Sequence, residues 1–161
     1  MRLLSIIILS FFFIQEPIDT KLELENFVFS KEELPDGCKL KLVANNSRLP
    51  CKATANPFIS SDRGFLDCFT KRLIQDSTLV QQVKRGLFSV YEGQSEIGIF
   101  GLETDSKKTT TLILDNIMAN SPNDGSMEFI QSGKILIWLW RDREETNSFH
   151  ELKKLINARI K

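Results

Sequence analysis

Three cysteines, one histidine and a few neighbouring carboxylates are the side chains of this chain best suited to chemistry. Cys38, Cys51 and Cys68 show no C-x-x-C spacing, and His150 is the sole histidine, so neither a metal site nor a cofactor is expected. In an oxidising compartment an odd count implies one disulfide and one remaining thiol, with three pairings open. Cys38 with Cys51 is the leading pair, because it closes a short loop, worth about 3 kcal/mol by chain entropy, and staples the segment least able to hold itself. Cys51 with Cys68 is the competitor. Cys68 sits on the flank of a helical face defined by Phe65, Leu66, Phe69 and Leu73. In a reducing compartment all three would be small buried residues.

Nucleophilic catalysis would need His150 beside Cys68, yet the helical spacing around His150 turns it away from the apolar stripe and toward solvent. Glu32, Glu33, Asp142, Glu144 and Glu145 fall in charge-rich turns, where solvated surface is the ordinary role. An exported thiol- or carboxylate-dependent hydrolase is therefore the alternative reading of function. Gly93, Gly98 and Gly101 lack a phosphate-binding arrangement and suit hairpin geometry. Charge is balanced, with 21 Lys plus Arg against 21 Asp plus Glu, so no nucleic-acid partner is expected. The late cluster of Lys153, Lys154, Arg159 and Lys161 complements a helix dipole.

The strand-like run from Lys134 to Trp140 is apolar on both sides: Ile135, Ile137 and Leu139 alternate with Leu136, Trp138 and Trp140. Something must cover each face. Phe100 and Leu102 on a neighbouring strand extend the Trp surface, and Tyr91 and Arg141 are the polar anchors at hand. The leading functional reading is a small exported, non-catalytic binding module. It engages a protein or an apolar ligand through Trp138, Trp140, Phe100, Tyr91 and Arg141.

The elements that position these residues follow from periodicity. Alternation predicts a strand within residues 22–30 and another over 38–43, separated by the turn around Pro35-Asp36-Gly37. Residues 44–61 read as a long loop, with an N-x-S sequon at Asn45. A helix capped by Ser60, Ser61 or Asp62 runs to about Ile74. A second, short helix capped by Asp76 or Ser77 ends at Gly86.

The remainder reads as a hairpin–helix unit used twice. Leu87–Glu92 and Glu96–Glu103 precede a helix over 106–119, which a Pro122-containing turn stops. Met127–Gln131 and Lys134–Trp140 precede a final helix from Ser148, whose S-x-x-E form is a capping box with Glu151. The fold class is α+β: an antiparallel sheet built from two ββα units with both long helices on one face, and an N-terminal extension against the other. Twelve Phe, two Trp and 42% hydrophobic residues fit a folded chain.

Ahead of this single domain, 16–161, residues 1–15 read as a signal peptide. Arg2 precedes an apolar run that as a helix would rise only about 18 Å, short for a membrane span. Left uncleaved, the segment would be an anchor and the one route to a membrane. The compartment expected is secreted or periplasmic.

Overall fold

The computed structural model describes residues 22–42, 51, 53–71, 73–120, 125–142 and 147–160. The signal segment, the sequon, the turn at Pro122 and the carboxylates Glu144 and Glu145 lie outside them.

The described chain is α+β and carries one antiparallel sheet of six strands. In chain order these are β1 (Lys39–Leu40), β2 (Phe58–Ser60), β3 (Val83–Glu92), β4 (Glu96–Thr104), β5 (Met127–Ser132) and β6 (Ile135–Arg141). Four helices accompany them: α1 (Arg63–Thr70), a single turn α2 (Ser77–Val80), α3 (Lys107–Asn120) and α4 (Asn147–Ile160). The spatial order is β1-β3-β4-β6-β5, with β2 also paired to β3. Both predicted hairpins form, β3 with β4 and β5 with β6. Because β4 and β5 each run antiparallel to β6, they run parallel to each other, and α3 is the crossover that joins them.

The two long helices lie on opposite faces, correcting the expectation that they share one. Leu136 and Trp138 of β6 share a core with Phe65, Leu66 and Phe69 of α1 and Ile113 and Ile117 of α3. Ile135, Ile137 and Leu139 share the other with Leu24, Phe27 and α4 residues Phe149, Leu152 and Ile156. A strand apolar on both sides needs two covers, and each amphipathic helix supplies one. The N-terminal half is split likewise: Leu24, Phe27 and Phe29 share a core with α4, whereas Ala53, Ile74 and the apolar faces of α1 and α2 share one with α3. Two ββα units related by rotation about the sheet normal would keep their helices on one side. The strand order β3-β4-β6-β5 is what such a rotation gives, but the helices do not follow it.

Local differences have local causes. Leu24–Phe27 is a 3-10 turn, not a strand; Asn26 Oδ1 accepts the Glu23 N–H at 2.8 Å, and Leu24 and Phe27, three apart, both reach the core. The loop read over 44–61 contains β2. α1 ends at Thr70, whose carbonyl accepts the N–H groups of both Leu73 and Ile74, so the chain turns while Ile74 stays buried. The second helix stops at Val80, and Gly86 lies inside β3 instead of ending a helix. A Cβ there would sit 3.1 Å from Leu66 and 3.2 Å from Phe65, so this glycine lets α1 approach the sheet closely. In α4, Ser148 lies inside the first turn because the helix already begins at Asn147.

The outer side of β3 is closed in three pieces. β1 pairs with Tyr91 and Glu92, and β2 pairs with Gly86 to Phe88. Between them the Asn56 amide stands in for a strand residue: its Nδ2 donates to Val90 O at 2.7 Å and Lys41 O at 2.8 Å, and its Oδ1 accepts the Val90 N–H at 2.9 Å.

Candidate functional site

Register aligns five aromatic residues across the sheet. Phe58 of β2 faces Phe88 of β3, Phe88 faces Phe100 of β4, Phe100 faces Trp138 of β6, and Trp138 faces Phe129 of β5. Each sits on the same side of its strand, as period-2 alternation dictates. From α1, Phe69 stacks on this row at 5.0 Å from Phe100 and 5.7 Å from Trp138, while Phe65 meets Phe58 edge-on at 4.9 Å. Such pairs contribute about 0.5–1.5 kcal/mol each beyond the area they bury. The middle of the row is core: Trp138 is 1% exposed.

Two residues further along β6, Trp140 starts the next row on this face, between Gly98 and Met127. The indole lies flat over Gly98, where a Cβ would come within 1.9 Å of Nε1. That N–H is buried and has no acceptor among the described residues. The ring stays half-buried, stacked on half-buried Phe100 at 6.1 Å, with half-buried Phe129 and Met127 beside it. At the rim, Glu96 is paired with Lys41, and its N–H donates to Asp142 Oδ2 at 3.3 Å.

Of the five residues expected to line a binding surface, the fold brings Trp138, Trp140 and Phe100 together on one face. Tyr91 and Arg141 lie on the other. Parity explains both: Arg141 follows Trp140 directly, and Tyr91 is out of step with Phe88 and Val90. Tyr91 is fully buried, its hydroxyl turned toward Ser89 and the backbone of Phe29; burial pushes its pKa above the ordinary phenol value. Arg141 lies 4.9 Å from the centre of the Phe149 ring.

No family model, curated protein or solved structure matches this chain.

The residues considered for catalysis are dispersed. Cys68 is bonded to Cys51, with 5.4 Å between their Cα atoms. This corrects the expected Cys38–Cys51 pair, and the reason is geometric: Cys51 packs in the α1 layer and Cys38 in the α4 layer, with the sheet between them. Cys38 is a buried thiol outside the disulfide. His150 is exposed on α4, edge-on to Phe149, and the sheet also separates it from Cys68. A cleft of about 300 Å3 opens beside the disulfide, lined by Phe58, Ser60, Asp62 and Phe65.

Several carboxylates are engaged in ion pairs, Glu33 among those considered for catalysis. Glu33 pairs with Arg159, and the Ser30 backbone N–H together with that guanidinium holds its pKa below the usual carboxylate value. Glu25 pairs with Arg85, which lowers its pKa in the same way. Glu103 takes Lys134 at 2.9 Å and Arg85 at 3.4 Å. Among the described residues no group of three His, Cys, Asp or Glu side chains could hold a metal. No helix of those residues is long and apolar enough to cross a membrane.

The sequence does not single out Phe129, Phe88 or Phe58, and it marks Phe69 only as part of the apolar face of a helix. The alternation Met127, Phe129, Gln131 was the available signal for Phe129, but the row itself depends on register, which alternation does not supply.

Proposed function

We propose that this chain is a small exported, non-catalytic binding module that takes a protein or an apolar ligand at the half-exposed end of its aromatic face. Trp140 carries the proposal: a half-buried indole on a glycine seat, flanked by Phe100, Met127 and Phe129. A large aromatic ring with part of its apolar body open to solvent is the usual form of an interface anchor. Trp138 and Tyr91 act in this reading as the packed support behind the contact surface. Export is supported by the composition of residues 1–15 and accords with the Cys51–Cys68 disulfide.

Tryptophan emission tests the proposal, because the chain has only two tryptophans. In the wild type, acrylamide should quench one of them, and Trp140→Phe should leave a single, protected emitter. The dye 8-anilinonaphthalene-1-sulfonate should bind saturably to the wild type and at least tenfold more weakly to Trp140→Ala. Complete protection of both tryptophans, or dye binding indifferent to Trp140, would refute the assignment.

A further inference from the structure

The two outer edges of the sheet are treated differently. β3 is closed by β1, Asn56 and β2, whereas among the described residues no strand pairs with the outer side of β5. Ser126 O accepts the Arg141 N–H at 3.0 Å, so the β5–β6 ladder bonds through residues 128, 130 and 132. Met127, Phe129 and Gln131 therefore turn their N–H and C=O groups outward. The strand Met-Glu-Phe-Ile-Gln-Ser contains no proline, lysine or glycine of the kind that blunts an edge. Its one charge, Glu128, is paired with Lys153 at 2.5 Å.

A second feature borders the same edge. Gln131 Nε2 donates to Thr111 Oγ1 of α3 at 3.0 Å, which places the Thr111 side of that helix along β5. Leu114 and Met118 continue that side at helical spacing, and Met118 is 56% exposed. The open strand is thus flanked by an apolar wall.

We propose that the outer edge of β5 is where two copies of this chain pair, antiparallel about a two-fold axis at Phe129. The strand is self-complementary in that register. Phe129 faces Phe129 of the second copy, Met127 faces its Gln131, and Glu128 faces its Ile130, so no like charges meet directly. The three outward-facing residues of each copy all find backbone partners. Gln131 lies beneath the first turns of its own α3 and faces Met127 of the second copy, so the first turns of the two α3 helices lie at opposite ends of the shared strand pair. The aromatic row that ends at Phe129 in one copy continues into the other. This inference needs the β5 edge and not the Trp140 ring, although Met127 and Phe129 also border the proposed Trp140 surface; the oligomeric state and Trp140-dependent dye binding tell the two readings apart.

Sedimentation velocity on the full chain, with circular dichroism to verify folding, tests the pairing. The wild type should sediment as a dimer. Phe129→Lys and Phe129→Glu should each be monomeric, since two like charges would face each other across the axis, and an equimolar mixture of the two should recover the dimer. Met127→Pro removes one outward N–H without touching the β6 ladder and should weaken pairing about tenfold or more. A wild type that is monomeric at about 0.1 mM, above the micromolar range of ordinary stable pairs, would overturn the proposal. So would a Phe129→Lys variant that dimerises as the wild type does, or a mixture that stays monomeric. A monomer that still shows saturable, Trp140-dependent dye binding would end this inference alone.

Discussion

The guanidinium of Arg159 lies 4.2 Å from the centre of the Phe29 ring, tying the last turn of α4 to the segment just after the first 3-10 turn. The same group donates to the carbonyl oxygens of Asn26 and, at 3.3 Å, Val28, and it pairs with Glu33. One side chain thus holds down a stretch that has no strand partners along 24–33 among the described residues. Arg159→Ala should cost about 1–3 kcal/mol, from the cation–π contact and charge-assisted hydrogen bonds together. Urea melts would measure it, and hydrogen exchange should show protection lost first at residues 24–30. Arg159→Lys should recover only part, because an ammonium cannot stack and donate as a planar fork does.

Acid should weaken the same contacts. Glu33 and Glu25 both have folded pKa values below the unperturbed 4.5, the first through the Ser30 N–H and Arg159, the second through Arg85. Their contribution is complete above the unfolded value and is lost as pH falls through the depressed folded values. Denaturant midpoints measured from neutral pH down to about pH 3 should fall below pH 4.5. The fall should be shallower in Arg159→Ala, and an unchanged pH profile in that variant would contradict the assignment.

Gly98→Ala should unseat Trp140, because the added methyl would come within 1.9 Å of the indole nitrogen with the ring packed directly above. About 1–3 kcal/mol of destabilisation is expected, together with red-shifted emission as the ring moves toward water. Gly86→Ala makes a useful contrast. Its nearest neighbours, Leu66 and Phe65 at 3.1 and 3.2 Å, are side-chain atoms that need to shift only slightly, so its cost should be smaller and its emission unchanged.

Peptide mapping under non-reducing conditions should recover Cys51 linked to Cys68, with Cys38 as the one alkylatable thiol after denaturation. The Cys51→Ser, Cys68→Ser double variant should lose about 3 kcal/mol by the loop-entropy estimate. A Cys38-containing disulfide in the mapped peptides would refute the layer assignment of the three cysteines.

Some of this architecture could be read from residue patterns, and some could not. The double-faced run Ile135 to Trp140 announced a central strand covered on both sides, and the stripe Phe149, Leu152, Ile156 announced a packed helix. A stripe tells which side of a helix is buried but not against which face of the sheet, so the opposite placement of α3 and α4 was not legible. The same blindness misplaced the disulfide: the short spacing of Cys38 and Cys51 says nothing of the sheet that separates them. Gly86 fitted a helix stop as well as a close helix-to-strand contact, and only the position of Leu66 above it decides between them. Trp138, Trp140 and Phe100 came together because they share strand parity and a common register. Tyr91 and Arg141 were grouped with them by chemical type, and parity sent them to the far side.

The Asn56 amide that completes the outer side of β3 would also limit the size of the assembly proposed at β5. A sheet with both borders open could add molecule after molecule and run on as a fibre. With one border sealed by a side chain and two short strands, the pairing proposed at β5 would stop after a single step. Replacing Asn56 would open only the gap at Val90 between the two short strands.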